Sequence, residues 1–115
     1  MRRRPGATDR VHTSTLGVRV LDRDDGVWVI LRGEADIATL AELEAALARV
    51  ELDVPGPVHL DVTELTFADV ATIRSLATFA RGAARTGHGV RTYGSGPTLR
   101  KVATILGFDT DLGIL

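Results

Sequence analysis

The stretch VHLDVTELTFADVATIRSLATFARGAAR, residues 58–85, decides the fold. Its hydrophobic period changes once along the way. Val58, Leu60 and Val62 alternate with His59 and Asp61, the two-residue period of a strand. Beyond Asp69 the apolar positions become Val70, Ile73, Leu76, Ala77 and Ala80, one stripe of a helix, with Arg74, Arg81 and Arg85 mostly off it. Asp69 stands where a side-chain oxygen caps the open N–H groups of a helix start.

Outward from this segment the same alternation continues. Pro55-Gly56-Pro57 breaks the chain upstream. Before it, Thr39 opens a helix with Leu40, Leu43, Leu47 and Val50 on one face, and Glu42 stands at capping-box spacing from Thr39. Val27–Leu31, VWVIL, reads as a buried strand ending at Arg32-Gly33. Leu16–Leu21 alternates loosely, and the turn at 22–26, closing on Asp25-Gly26, predicts a hairpin. Downstream, Thr86-Gly87-His88-Gly89 is a stop and Val90–Tyr93 a short strand. Ser95-Gly96-Pro97 opens a third helix carrying Leu99, Val102, Ala103 and Leu106, and Gly107 suits its end. Leu112–Leu115 is expected to add an edge strand. The order β-β-α-β-α-β-α predicts a single α/β domain with a mixed sheet and right-handed crossovers.

Composition agrees with one domain. The chain has 115 residues, 44% hydrophobic and 25% charged. Aromatics make up only 4%, so the core must be aliphatic. There is no cysteine, which excludes disulfides, thiolate metal sites and cysteine nucleophiles and fits a cytoplasmic protein. No apolar run approaches the ~18 residues of a membrane span, and no secretory signal is expected. Charge is uneven. The first ten residues carry four arginines against Asp9, net +3; with a chain total of −1, the other 105 carry −4. Residues 1–15 are therefore read as a flexible basic tail and 16–115 as the domain. The acidic body argues against nucleic-acid binding.

Catalytic chemistry has little support. His12, His59 and His88 lie apart, with no second ligand at metal-site spacing. Ser14, Ser75 and Ser95 lack a nucleophile-elbow context. Gly94-Ser95-Gly96 is only superficially a phosphate loop, because Lys101 is off the P-loop spacing. His59 is read as a polar strand residue and His88 as a turn residue. No metal and no cofactor is expected, and a binding module is favoured over an enzyme.

Two segments together resemble a known family. Val27-Trp-Val-Ile-Leu-Arg-Gly-Glu-Ala-Asp36 is followed by the Thr39 helix, and Val58 to Asp69, ending Phe67-Ala68-Asp69, by the Val70 helix. In this order, and with Ser95-Gly-Pro-Thr-Leu-Arg-Lys-Val102 and Leu106-Gly107-Phe108, residues 16–115 resemble the STAS domain family, whose small stand-alone members include bacterial anti-sigma factor antagonists. The resemblance implies a non-catalytic regulator that binds a kinase-type anti-sigma factor. It further implies a partner-binding site at Asp36, Asp69, Val70, Ala71 and Thr72. The family pattern there is F-x-D-S-S-G-L, with the second serine as phosphoacceptor. This chain reads Phe67-Ala68-Asp69-Val70-Ala71-Thr72-Ile73. Asp69 matches, but alanine stands at the acceptor position. Thr72 carries the nearest hydroxyl, turned about 100° around the helix, and is a poor substitute acceptor. Binding without the serine switch is expected. The alternatives are a non-catalytic subunit of a lipid-transport ATPase or stress-signalling assembly, and a nucleotide binder using Asp36 and the start of the second helix.

Overall fold

A computed structural model describes residues 15–114. The expected tail falls almost wholly outside the described residues, as do His12, Ser14 and Leu115. The elements are β1 (Leu16–Arg23), β2 (Gly26–Ala35), α1 (Leu40–Ala48), β3 (Val58–Ala68), α2 (Val70–Arg85), β4 (Val90–Tyr93), α3 (Pro97–Leu106) and α4 (Asp109–Leu112). They form one sheet in the order β1-β2-β3-β4. β1 and β2 are antiparallel, while β2–β3 and β3–β4 are parallel. The mixed α/β domain is as the sequence predicts.

One face of the sheet makes the core. Val27, Val29 and Leu31 lie beside Val58, Leu60, Val62 and Val90, under Leu43 and Leu47 of α1, Ile73, Leu76 and Ala80 of α2, Ala103 of α3 and Leu112 of α4. Burying a full aliphatic side chain contributes roughly 1.5–3 kcal/mol, so this aliphatic layer carries the fold with few aromatics.

Four local expectations are corrected. β2 and β3 run on to Ala35 and Ala68, past Leu31 and Val62 where the alternation fades. Register shifts between Ile30 and Arg32 and between Gly33 and Glu34 absorb the irregular pattern. Gly33 makes this possible: its φ is +96°, and a Cβ there would strike the Thr15 carbonyl. The Thr39 capping box does not form. The Thr39 hydroxyl is spent on the preceding loop, accepting from Asp36 N–H at 3.0 Å and donating toward the Asp36 and Glu34 carbonyls. α1 ends at Ala48, so Val50 packs on the core from a loop. The expected edge strand is instead α4 plus one parallel bridge, Thr92 to Ile114. Helical spacing buries Leu112 and half-buries Phe108, which outweighs strand pairing there.

Candidate functional site

The C-terminal ends of β2 and β3 and the first turn of α2 are tied at one oxygen. The Ala35 carbonyl accepts from Asp69 N–H and from the Thr72 hydroxyl, each at 3.1 Å. Asp69 in turn accepts from Thr72 N–H at 2.9 Å and so caps α2 as the sequence predicts. The Asp36 carboxylate accepts from Ala38 N–H at 3.0 Å and shapes its own loop. Thr66 donates to the Gly33 carbonyl at 3.0 Å, binding the two strand ends beyond the register shift. Each of these polar atoms serves the backbone frame.

The apolar side chains at the same end do the opposite. The register pairs Glu34 with Phe67 and Ala35 with Ala68, so the 36–38 loop and the α2 start emerge side by side. Ile37 is 74% exposed, Phe67 52% and Val70 45%. Val70 thus leaves the helix stripe that the sequence assigned to it. Its turn overhangs the end of the sheet, and the buried stripe begins at Thr72 and Ile73.

Of the five residues singled out, Asp36, Asp69, Val70 and Ala71 are brought together at this surface. Asp36, Asp69 and Ala71 are half-buried. Thr72 lies behind it: its side chain is fully buried, with 0% exposure, and its hydroxyl is committed to Ala35. Ile37 and Phe67 are the site residues that sequence reasoning missed, although Phe67 stands in the motif that carried the resemblance. The signal for Ile37 was a bulky aliphatic between Asp36 and Ala38, in a loop that is otherwise polar or small.

A cleft of about 420 Å³ adjoins this surface between the end of β3, the start of α2 and the start of α3. Its walls include Val62, Leu65, Phe67, Ile73, Leu99 and Val102. Ser95 also lines it, with its hydroxyl oxygen buried and lacking a hydrogen-bond partner among the described residues. Among the described residues no group of three His, Asp or Glu is placed to hold a metal ion, and no helix is long and apolar enough to cross a membrane.

His59 belongs to a different cluster, on the sheet face away from the helices. Its ring stacks on Trp28 with centroids 4.4 Å apart and on Tyr93 at 5.5 Å. One ring nitrogen, Nδ1, lies 2.7 Å from the Tyr93 hydroxyl and the other, Nε2, 2.8 Å from the Asp25 carbonyl. Trp28 Nε1–H donates to the Asp25 carboxylate at 2.9 Å and holds that carboxyl below its ordinary range. The reading of His59 as a polar strand residue understates it: it is a buried anchor.

The chain matches one family model, described as Mlab, STAS domain, over residues 18–115. Among solved structures it is similar to an anti-sigma factor antagonist from Mycobacterium paratuberculosis, at 27% identity and TM-score 0.71, covering 86% of this chain and 84% of that one. A STAS-domain antisigma-factor antagonist from Rhodobacter sphaeroides is similar at 21% identity and TM-score 0.60, covering 70% and 88%. The anti-sigma factor antagonist SpoIIAA in its unphosphorylated form is similar at 19% identity and TM-score 0.59, covering 86% of each chain. At those lower identities the last two speak to fold alone. No curated protein matches the chain.

Proposed function

Because this chain belongs to the STAS domain family, we propose that it is a non-catalytic regulatory protein of the anti-sigma factor antagonist type. It docks a kinase-type anti-sigma factor on the surface that carries Asp36, Ile37, Phe67, Asp69, Val70 and Ala71. The observation that carries this reading is the exposed trio Ile37, Phe67 and Val70 held on a fully hydrogen-bonded frame. Exposed apolar side chains on a rigid support suit a protein partner, since desolvating them releases free energy without first ordering a loop. The Mycobacterium paratuberculosis relative is itself described as an anti-sigma factor antagonist.

Phosphorylation does not end this binding. Ala71 has no hydroxyl. The Thr72 hydroxyl is buried and donated to Ala35, whereas phosphoryl transfer needs an accessible oxygen in line with the γ-phosphate. Reaching it requires opening the first turn of α2. A second reading keeps the surface and changes the partner, to a lipid-transport ATPase or a stress-signalling scaffold. It is retained because the matching model is the Mlab type.

The test is affinity purification from native cells at endogenous level. The expected catch is a kinase-fold anti-sigma factor, retained by the wild type and lost by Phe67→Asp. With that kinase and ATP, the wild type gains no phosphoryl group, while Ala71→Ser gains close to one. Stoichiometric phosphorylation of Thr72 in the wild type sinks the unswitched mechanism. Capture of a transport ATPase without such a kinase replaces the first reading by the second.

A further inference from the structure

The cleft of about 420 Å³ between the end of β3 and the starts of α2 and α3 carries unmet donors at one end. Its volume falls within the roughly 300–1,000 Å³ of small-ligand sites. Leu65, Phe67, Ile73, Leu99 and Val102 give it apolar walls, and none of its described lining residues is Asp, Glu, Lys, Arg or His. The polar groups gather where α3 begins. Ser95 Oγ is buried and has no hydrogen-bond partner among the described residues. Gly96 stands at the cap of α3 and offers no side-chain bond, and Pro97, the first helical residue, carries no N–H. The N–H groups of Thr98 and Leu99 find no acceptor among the described residues. Thr66 also lines the cleft, but its hydroxyl is donated to the Gly33 carbonyl.

A buried hydroxyl without a partner is costly, and a ligand oxygen relieves that cost. With the Thr98 and Leu99 N–H groups it makes three donors at the positive end of a helix, so the ligand must present an acceptor, best an anionic one. No cation lines the cleft to balance the second charge of a phosphate, whereas one carboxylate has two oxygens for these donors. The apolar walls call for a hydrocarbon body behind it. We propose that this cleft binds a small aliphatic carboxylic acid, of the medium-chain fatty acid class. Its carboxylate takes the Ser95 hydroxyl and the first-turn N–H groups of α3. Its chain lies along Leu65, Ile73, Leu99 and Val102. Phe67 is both a wall of the cleft and part of the proposed docking surface. One consequence rests on that functional reading: a bound acid alters the surface that the partner meets.

The test needs no protein partner, so its failure is separable from failure of the proposed function. Octanoate is titrated into the full chain while backbone amide shifts are followed. The expected result is saturable shifts centred on Ser95, Thr98, Leu99 and Ile73, with half-saturation at or below about 1 mM. Octylammonium, which has the same chain and the opposite charge, is expected to bind at least about ten-fold more weakly. Ser95→Ala is expected to weaken octanoate about five-fold, the effect of one hydrogen bond. Val102→Phe fills the cleft and is expected to abolish the shifts; should that variant not fold, Ser95→Ala and the amine still decide the matter. Three outcomes overturn the proposal. One is no saturable shift up to about 10 mM octanoate. Another is equal binding of octylammonium, because the site then selects only hydrocarbon. The third is unchanged octanoate binding in Ser95→Ala.

Discussion

Two clusters sit on opposite parts of the sheet and use buried hydrogen bonds to opposite ends. Around Ala35, the buried bonds of Thr39, Asp69 and Thr72 fix a frame and leave Ile37, Phe67 and Val70 in solvent. Around His59, the buried bonds to Tyr93 and Asp25 fix a frame and the rings close over it, leaving His59 4% exposed. The second cluster satisfies its polar groups and its apolar ones together. The first satisfies only the polar groups. An apolar surface that remains open although its support is rigid is what the proposed binding role draws on.

The largest test of this contrast falls on the closed cluster. His59→Ala removes one ring of a cluster of three mutually stacked rings and two hydrogen bonds, and costs about 2–3 kcal/mol. For a domain of this size that lowers Tm by roughly 10–20 °C. Partner affinity of the folded fraction is expected to stay unchanged, and a loss of affinity would break the comparison. Phe67→Asp does the reverse. It weakens partner binding about 100-fold, near 2.7 kcal/mol, while the urea midpoint stays within the small range of surface substitutions. A large stability loss there would make Phe67 a packing residue.

Thr72→Val keeps the shape and deletes the bond to Ala35. Its expected cost is about 1 kcal/mol in chemical denaturation, with a smaller loss in binding as the frame loosens. The smallest effect is in pH. The Trp28 hydrogen bond lowers the Asp25 carboxyl below its ordinary 3.8 in the fold. A lowered folded value contributes stability above the ordinary value, and that contribution is lost as pH falls through the folded one. Wild type and Trp28→Phe are therefore expected to converge in this contribution as acid titration passes below about pH 4. A pH-independent difference in their urea midpoints would assign the Trp28 effect to stacking alone.

Much of this was legible in the sequence, for local reasons. Asp69 before an apolar run announces its cap, because capping depends on residues three apart. Val58, Leu60 and Val62 announce a strand because one face of it meets the core. The far halves of β2 and β3 were not legible: their last residues are held by the backbone ladder across a register shift, so their side chains lose the alternation. Val70 has helical spacing with Ile73, but spacing cannot tell a turn that lies over the sheet from one that overhangs its end. The His59 stack joins residues 34 apart in sequence and depends on cross-strand register, which no local pattern encodes. At the site, Ala71 was readable as a missing hydroxyl, whereas the burial of Thr72 needed Ala35 to be placed beside it.

The doubly used carbonyl of Ala35 also fixes when the proposed binding surface comes into being. Its two donors lie 34 and 37 residues further along the chain. Between them and Ala35 stand α1 and the whole of β3, which must cross over and pair in parallel with β2 before either bond can close. Such non-local closure comes late in folding. During synthesis the first hairpin and α1 emerge with Ile37 but without Phe67, Val70 or the frame that aligns them. A partner of the proposed surface would therefore meet it only on chains that have folded past Thr72.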